Sequence, residues 1–273
     1  MSLIIVDAKK CKHCGRCVEV CPAHIIQTTE SDTVPFLDES DEPWCINCGH
    51  CVAICPKGAM GIQTMTPSQC TSIKKSLLPS AQQVEHFLKT RRSIRLYKEK
   101  TVSQRTLAKL IDIASYAPSG HNSQSVHWLV INDTKEIKEL NTMVVDWMRR
   151  SLEESPELAS TLNFQVVVGA WDSGIDVITR DAPHIIIAYT HKDLGPMGNC
   201  QIALTHLELA AHSLGLGACW AGYFQLATAS YPPLSKALHL PQYHRSYGAM
   251  LIGHPKFDYH RIPLRNDPSI IWR

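Results

Sequence analysis

Eight of the eleven cysteines stand in two runs of one spacing, Cys11-x2-Cys14-x2-Cys17-x3-Cys21-Pro22 and Cys45-x2-Cys48-x2-Cys51-x3-Cys55-Pro56. In this spacing the first three thiolates of a run bind one 4Fe–4S cluster and the fourth crosses to the other cluster. One cluster is therefore expected on Cys11, Cys14, Cys17 and Cys55, and the other on Cys45, Cys48, Cys51 and Cys21. The competing reading is a pair of structural zinc sites, since eight thiolates also suffice for two all-cysteine tetrahedra. Zinc ribbons usually present two separated CxxC knuckles per ion, whereas here four cysteines fall within eleven residues and a proline closes each run. The spacing favours iron–sulfur and the handling of electrons. Cys70, Cys200 and Cys219 lie outside the pattern and read as small buried hydrophobes. His13 and His50 sit inside the cysteine loops and are expected to hydrogen-bond nearby groups, not to bind iron.

Three further segments carry polar chemistry. Arg91, Ser93 and Arg95 stand at i, i+2 and i+4, the spacing that lines one face of an extended strand. Guanidinium forks grip phosphate bidentately and a serine hydroxyl adds a donor; Arg92 would point to the other face and contribute backbone. The bland alternative is a basic helix C-terminus favoured by the dipole. Asn122 and Gln124 offer amide donor–acceptor pairs matched to a uracil-like ring edge, or else form a polar turn after a helix. Between Gly215 and Gly222, three glycines would let backbone amides approach a flat ligand, or simply end a helix before an apolar strand. No GxSxG elbow or catalytic Cys–His pair stands out. No GxGxxG fingerprint follows a strand.

The elements that must position these residues can be read from periodicity. Each cysteine run should lead from a short strand through a loop into a brief helix, around 16–20 and 50–54, and on to a return strand. A polar, acidic loop is expected over 30–43. The stretch 64–70 loses periodicity, and Pro79 punctuates it before a helical pattern begins near Ser80. Domains are thus expected at 1–66 and 81–273, joined by a linker at 67–80. In the second, a helix follows the N-cap Ser103, with Leu107, Leu110, Ile111, Ala114 and Ala117 on one face. A strand is expected at 126–132, then a helix from Asp133 to about Arg150 with Glu136 in capping-box position. A buried strand at 184–189, an apolar helix over 202–214 ended by Gly215, and a strand at 247–252 complete the reading. The fold class is α+β: a two-cluster module followed by a mixed sheet flanked by helices.

Composition agrees with a sizeable core: 44% of the 273 residues are hydrophobic and 19% charged. A 65-residue first module buries too little on its own and depends on its clusters. Residues 1–66 carry five Lys/Arg against eight Asp/Glu, a net of −3, while the remainder carries +5 within an overall +2. Neither value suggests nucleic acid. A basic second domain is compatible with an anionic cofactor or with an ordinary solvated surface. The N-terminus has no signal-peptide pattern and no uncharged span reads as a membrane helix. Unprotected ligand thiols point to the reducing cytoplasm.

Residues 1–65 resemble bacterial two-cluster ferredoxins. Four segments further on, in order, resemble the nitroreductase-like flavoprotein family: Arg91-Arg92-Ser93-Ile94-Arg95, Ala117-Pro118-Ser119-Gly120-His121-Asn122-Ser123-Gln124, Gly215-Leu216-Gly217-Ala218-Cys219-Trp220-Ala221-Gly222, and Gly253-His254-Pro255 with Arg261-Ile262-Pro263-Leu264. The chain looks like a ferredoxin–nitroreductase fusion. The resemblance implies FMN bound by Arg91, Arg92, Ser93, Arg95, Pro118, Ser119, Asn122, Gln124, Trp220, Ala221, Gly222 and Arg261. Pro118, Ser119, Asn122 and Gln124 would reach the flavin of a second subunit, and the Trp220–Gly222 backbone would lie beside the isoalloxazine. Where many relatives have a second basic residue, two positions before Arg261, this chain has Tyr259; His260 is the neighbouring alternative. The implied protein is a homodimeric oxidoreductase that reduces small electron-poor acceptors such as nitroaromatics or quinones. Its electrons would enter through the clusters from a donor such as reduced ferredoxin and pass to FMN, the alternative being hydride transfer from NAD(P)H straight onto FMN. The competing class is a non-catalytic redox sensor or electron relay serving a protein partner.

Overall fold

Residues of the computed structural model are described throughout except at 1, 30–32, 194 and 196. The chain divides into two units: Met1–Pro79 with His121–Ser123, and Ser80–Gly120 with Gln124–Arg273.

In the first unit, β1 (Ile4–Val6) pairs antiparallel with β2 (Met60–Ile62), Ile4 opposite Ile62. Between them lie two short helices, α1 (Arg16–Glu19) and α2 (His50–Ile54), each entered through a left-handed glycine directly after a cysteine, Gly15 (φ 68) and Gly49 (φ 70). Only glycine holds this turn without strain. At Gly49 a side chain would also come within 2.7 Å of the Met65 sulfur. The core is small, built from Ile4, Ile25, Ile26, Leu37, Val52, Met60 and Ile62, with Cys21 among them. Of the loop expected over 30–43, residues 30–32 lie outside the described residues. The rest contains a bridge from Gln27 to Phe36 and a 3-10 helix at Glu39–Trp44.

The second unit starts with α3 (Ala81–Thr90), held by a capping box in which the Ser80 hydroxyl accepts from the Gln83 N–H, and α4 (Gln104–Ala114), capped by Ser103. Then come β3 (His127–Ile131), α5 (Thr134–Glu154), α6 (Pro156–Thr161), α7 (Phe164–Asp172) and β4 (His184–His191). The chain closes with α8 (Met197–Ser213), β5 (Gly217–Trp220), α9 (Gly222–Ser230), α10 (Pro232–Ala237) and β6 (His244–Gly253). The strand order is β3-β4-β6-β5, each neighbouring pair antiparallel. Parallel pairing enters as the bridge between Ser93 and Ala218 at the β5 edge.

Both sheet faces are buried, which explains the unbroken apolar run in β4. Ile185, Ile187, Cys219, Ala249 and Leu251 share one core with α5, α7 and α9 residues. Ile186, Ala188, Ala218, Met250 and Ile252 share the other with Leu107 and Leu110 of α4 and Leu204 and Leu207 of α8. Covering a leucine or isoleucine in this way stabilises the fold by about 1.5–3 kcal/mol per side chain. Cys200 and Cys219 are buried as expected, and burial pushes the Cys200 thiol up to about 12. Cys70, against expectation, is exposed.

Candidate functional site

The cysteines of the first unit gather into two sets. Cys11, Cys14, Cys17 and Cys55 line one cavity; Cys21, Cys45, Cys48 and Cys51 line another. The last cysteine of each run thus joins the first three of the other. The two short helices bring this about: α1 carries the first run from Cys17 toward Cys21 and α2 the second from Cys51 toward Cys55, and the two helices pack together. In each cavity the thiols ring a volume and do not meet at a point: among the described residues no three His, Cys, Asp or Glu side chains converge on a single-ion site.

Burial, then the neighbouring thiols Cys48, Cys45 and Cys21, push Cys51 up to about 11. Cys17 is raised by burial and by Cys55 and Cys11. At Cys55 burial raises the thiol, but backbone N–H groups of Ala59, Lys57, Met60 and Gly58 outweigh it and leave it lowered. The Ala59 N–H donates to its sulfur at 3.2 Å. His50 lines the second cavity at the start of α2.

In the second unit, α3 ends at a cavity of about 270 Å³ whose lining includes Arg91, Arg92, Glu208, His212 and Tyr259. The Arg91 guanidinium donates to the Glu208 carboxylate at 2.7 Å, with the side chains 27% and 8% exposed. Thr90 Oγ1 lies 3.1 Å from His212 Nε2, and Phe87 stacks on the His212 ring at 4.9 Å. Burial and then Arg91 lower the pKa of His212, keeping it neutral. The segment after Arg92 is fastened on both sides. The Ile94 N–H donates to the Ala218 carbonyl (2.9 Å), Lys98 N–H to His254 (2.9 Å) and Lys256 N–H to Leu96 (3.0 Å). This approach is so close that a side chain at Gly217 would meet Ile94 at 2.7 Å.

The alternation expected from Arg91 to Arg95 does not hold over its whole length. Arg91 is the C-cap of α3, so Arg92 joins it at the cavity and is not turned away to offer backbone alone. Ser93 is taken up in the bridge to Ala218, and Arg95 is exposed. Trp220 ends β5 at 38% exposure; Ala221 is buried and donates its N–H to the Ala249 carbonyl (2.9 Å), and Gly222 opens α9. Pro118, Ser119 and Gln124 line a separate cavity of about 100 Å³ with Trp128 and Asn199. There the Gln124 N–H donates to Ser119 Oγ (3.0 Å) and the Gly120 N–H to Asn199 Oδ1 (3.1 Å). Asn122 belongs to the first unit, where its side-chain amide donates to the carbonyls of Ile46 (3.2 Å) and Asn47 (2.9 Å). Arg261 is exposed and lines neither cavity. Tyr259, where relatives have a basic residue, does reach the Arg91 cavity; His260 is exposed and does not line it.

Sequence reasoning missed Glu208, His212 and Asn199. The signal for Glu208 was present: it is the single charge in the apolar stretch from Ile202 to Ala211, and a lone buried acid demands a partner.

The first unit holds two four-thiol cavities suited to iron–sulfur clusters and the second an antiparallel sheet covered on both faces, which makes the chain an α+β protein with the ligand sets of a two-cluster electron carrier. Residues 88–254 match the model of the Nitroreductase family, and residues 10–60 match that of the 4Fe-4S dicluster domain. The chain belongs to the nitroreductase family and carries an N-terminal ferredoxin-type domain. It is 28% identical over 181 residues (64% of this chain, 79% of the relative) to a Methanothermobacter thermautotrophicus protein named "Putative NADH dehydrogenase/NAD(P)H nitroreductase". An Archaeoglobus fulgidus protein of the same name is 26% identical over 190 residues, 67% of this chain and 93% of the relative. The fold is shared with the FMN-bound nitroreductase of Bacteroides fragilis, with a TM-score of 0.58 and 21% identity over 70% of this chain and 98% of that one. The same holds for the FMN-bound nitroreductase of Desulfitobacterium hafniense, with a TM-score of 0.56 and 23% identity over 68% and 97%.

Proposed function

We propose that the chain is an FMN- and iron–sulfur-dependent oxidoreductase that reduces small electron-poor acceptors of the nitroaromatic or quinone type, with electrons relayed from its clusters to FMN. The observation that carries this reading is the gathering of eight cysteines into two crossed sets of four within a nitroreductase-family chain. Thiols that surround a volume, with N–H donors aimed at a sulfur, suit a cluster better than a zinc ion. Cys11, Cys14, Cys17 and Cys55 would hold one 4Fe–4S cluster and Cys21, Cys45, Cys48 and Cys51 the other. The ferredoxin domain is assigned to 1–66, a linker to 67–80 and the FMN domain to 81–273.

The residues of the second unit fit a phosphate-bearing flavin. Glu208 occupies one of the five N–H donors of Arg91, leaving the rest for an anion, and Arg92 faces the same cavity. Ser93, Arg95 and Arg261, none of which lines this cavity in the single chain, are proposed for the same phosphate group, and the backbone of Trp220, Ala221 and Gly222 for the ring. Bound FMN would supply two-electron reduction and the clusters one-electron transfer. In a single chain the cavity holding Arg91 and Arg92 is separate from that holding Pro118, Ser119 and Gln124. A homodimer with FMN between subunits would let both sets serve one flavin. Exposed apolar residues near the C-terminus, Ile262, Leu264, Ile271 and Trp272, support a second copy. Thiolate ligands fit the reducing cytoplasm; no helix among the described residues is long and apolar enough to cross a membrane.

Anaerobic turnover of the reconstituted protein with nitroaromatic and quinone acceptors, supplied by reduced ferredoxin or NAD(P)H, tests the proposal. Acceptor reduction no faster than with free FMN would point instead to a non-catalytic electron relay. Cys14→Ser with Cys48→Ser should abolish turnover driven by ferredoxin yet spare turnover by photoreduced flavin; full retained activity would make the clusters structural.

A further inference from the structure

We propose that Asn122 is a positioning residue for the second cysteine loop and raises the reduction potential of the cluster assigned to Cys21, Cys45, Cys48 and Cys51, an inference that rests on the cluster reading above. His121, Asn122 and Gln124 all hold left-handed backbone, at φ 51, 52 and 45. Such strain costs about 1–3 kcal/mol per residue and persists only where the surroundings fix it. At Asn122 the fixing contacts are visible: its side-chain amide spends two donations on successive carbonyls, Ile46 at 3.2 Å and Asn47 at 2.9 Å. Both carbonyls lie in the loop between Cys45 and Cys48, and Ile46 and Cys48 line the cavity. The loop is itself strained at Asn47 (φ 54), whose side chain accepts from Thr64 Oγ1 at 2.5 Å.

The consequence follows from peptide connectivity. The Ile46 carbonyl shares a peptide with the Asn47 N–H, and the Asn47 carbonyl with the Cys48 N–H. A donor placed on a carbonyl polarises that peptide and strengthens its N–H. Among the described residues the backbone network gives neither of these two N–H groups a carbonyl partner, and Cys48 lines the cavity, so the Cys48 N–H is the one placed to serve cluster sulfur. Hydrogen bonds to the sulfurs set cluster potentials, because they favour the more negative, reduced form. Asn122 makes this contact to one cysteine loop of the two, so the effect is confined to one cluster. Its amide is engaged here, whereas Pro118, Ser119 and Gln124 line the separate cavity.

The test is a redox titration of the full reconstituted chain followed by electron paramagnetic resonance, comparing wild type, Asn122→Leu and Asn122→Asp. Both variants keep the side-chain size and lose the donors; both should move one of the two one-electron steps to more negative potential and leave the other in place. Both steps at wild-type potentials would overturn the proposal, as would equal movement of both. Unshifted clusters together with weakened FMN binding would overturn it in favour of a flavin role for Asn122. Labile sulfide is measured first: its absence from the wild type would refute the cluster reading itself, whereas clusters present at unshifted potentials would refute only the role of Asn122.

Discussion

Breaking the Arg91–Glu208 pair should cost the sheet unit a measurable share of its stability. The charged atoms lie 2.7 Å apart, and the side chains are 27% and 8% exposed. Two unit charges about 4 Å apart attract by about 4 kcal/mol at the effective dielectric of a partly buried site. Desolvation of both groups offsets part of that. A net coupling of about 1.5–3 kcal/mol is expected, the range for hydrogen bonds to charged groups. Arg91→Met, Glu208→Leu and the double variant form a cycle whose interaction energy isolates the pair. Arg91→Met should be the costlier single change, because it strands the more buried charge, while an unpaired Arg91 can turn toward solvent. The assay is urea unfolding of FMN-free protein followed by tryptophan fluorescence, since bound cofactor would add its own stabilisation. A coupling below about 0.5 kcal/mol would place the pair among exposed surface bridges and refute the reasoning. So would a Glu208 variant costlier than the Arg91 one.

Cys21→Ala should remove the cluster of the distant run, Cys45, Cys48 and Cys51, and leave that of Cys11, Cys14 and Cys17; iron analysis with paramagnetic resonance reads which is lost. Arg261→Ala should weaken FMN binding by about 1.5–3 kcal/mol if it contacts the phosphate, and an unchanged dissociation constant removes Arg261 from the site. His184 is neutral in the fold: burial and then His254 lower its pKa below 6.5, and Nε2 accepts from the Val102 N–H at 2.8 Å. Its folded pKa is depressed, so its contribution is whole above about pH 6.5 and is lost as pH falls through the folded value. The urea midpoint should therefore drop on acidification in the wild type and drop less in His184→Leu; parallel profiles would discard the assignment.

Local chemistry made much of this legible. Ser103 and Asp133 cap helices as their positions suggest, and Ser80, near which a helical pattern was expected to begin, caps another, because a cap depends on neighbours a few residues away. Asp133 accepts from the Lys135 N–H and not in a box with Glu136, and the helix it starts runs to Glu154, past the expected end. The cysteine crossing was readable because a covalent spacing rule governs it. Helices α6, α7, α9 and α10 were not anticipated: they are short and owe their form to packing against α5, and in the case of α9 also against β6. The turn of Arg92 toward Arg91 was hidden for a related reason. An alternation rule assumes a strand from the first residue, whereas a helix ends there. Asn122 was placed at a ring edge by residue type, and only long-range structure reveals its carbonyl partners.

The segment from Ser93 to Lys98 has a second effect through its place along β5. That strand is one of the two margins of the sheet, β3 being the other, and unpaired margins recruit strands from other molecules. Ser93 and Ile94 cover Ala218, while Leu96 to Lys98 bind the chain that leaves β6. The stretch assigned to anion binding therefore also guards this margin against self-association. Substitutions that pry it from β5 would forfeit solubility along with ligand, and loss of activity in such variants has to be judged against the soluble fraction recovered.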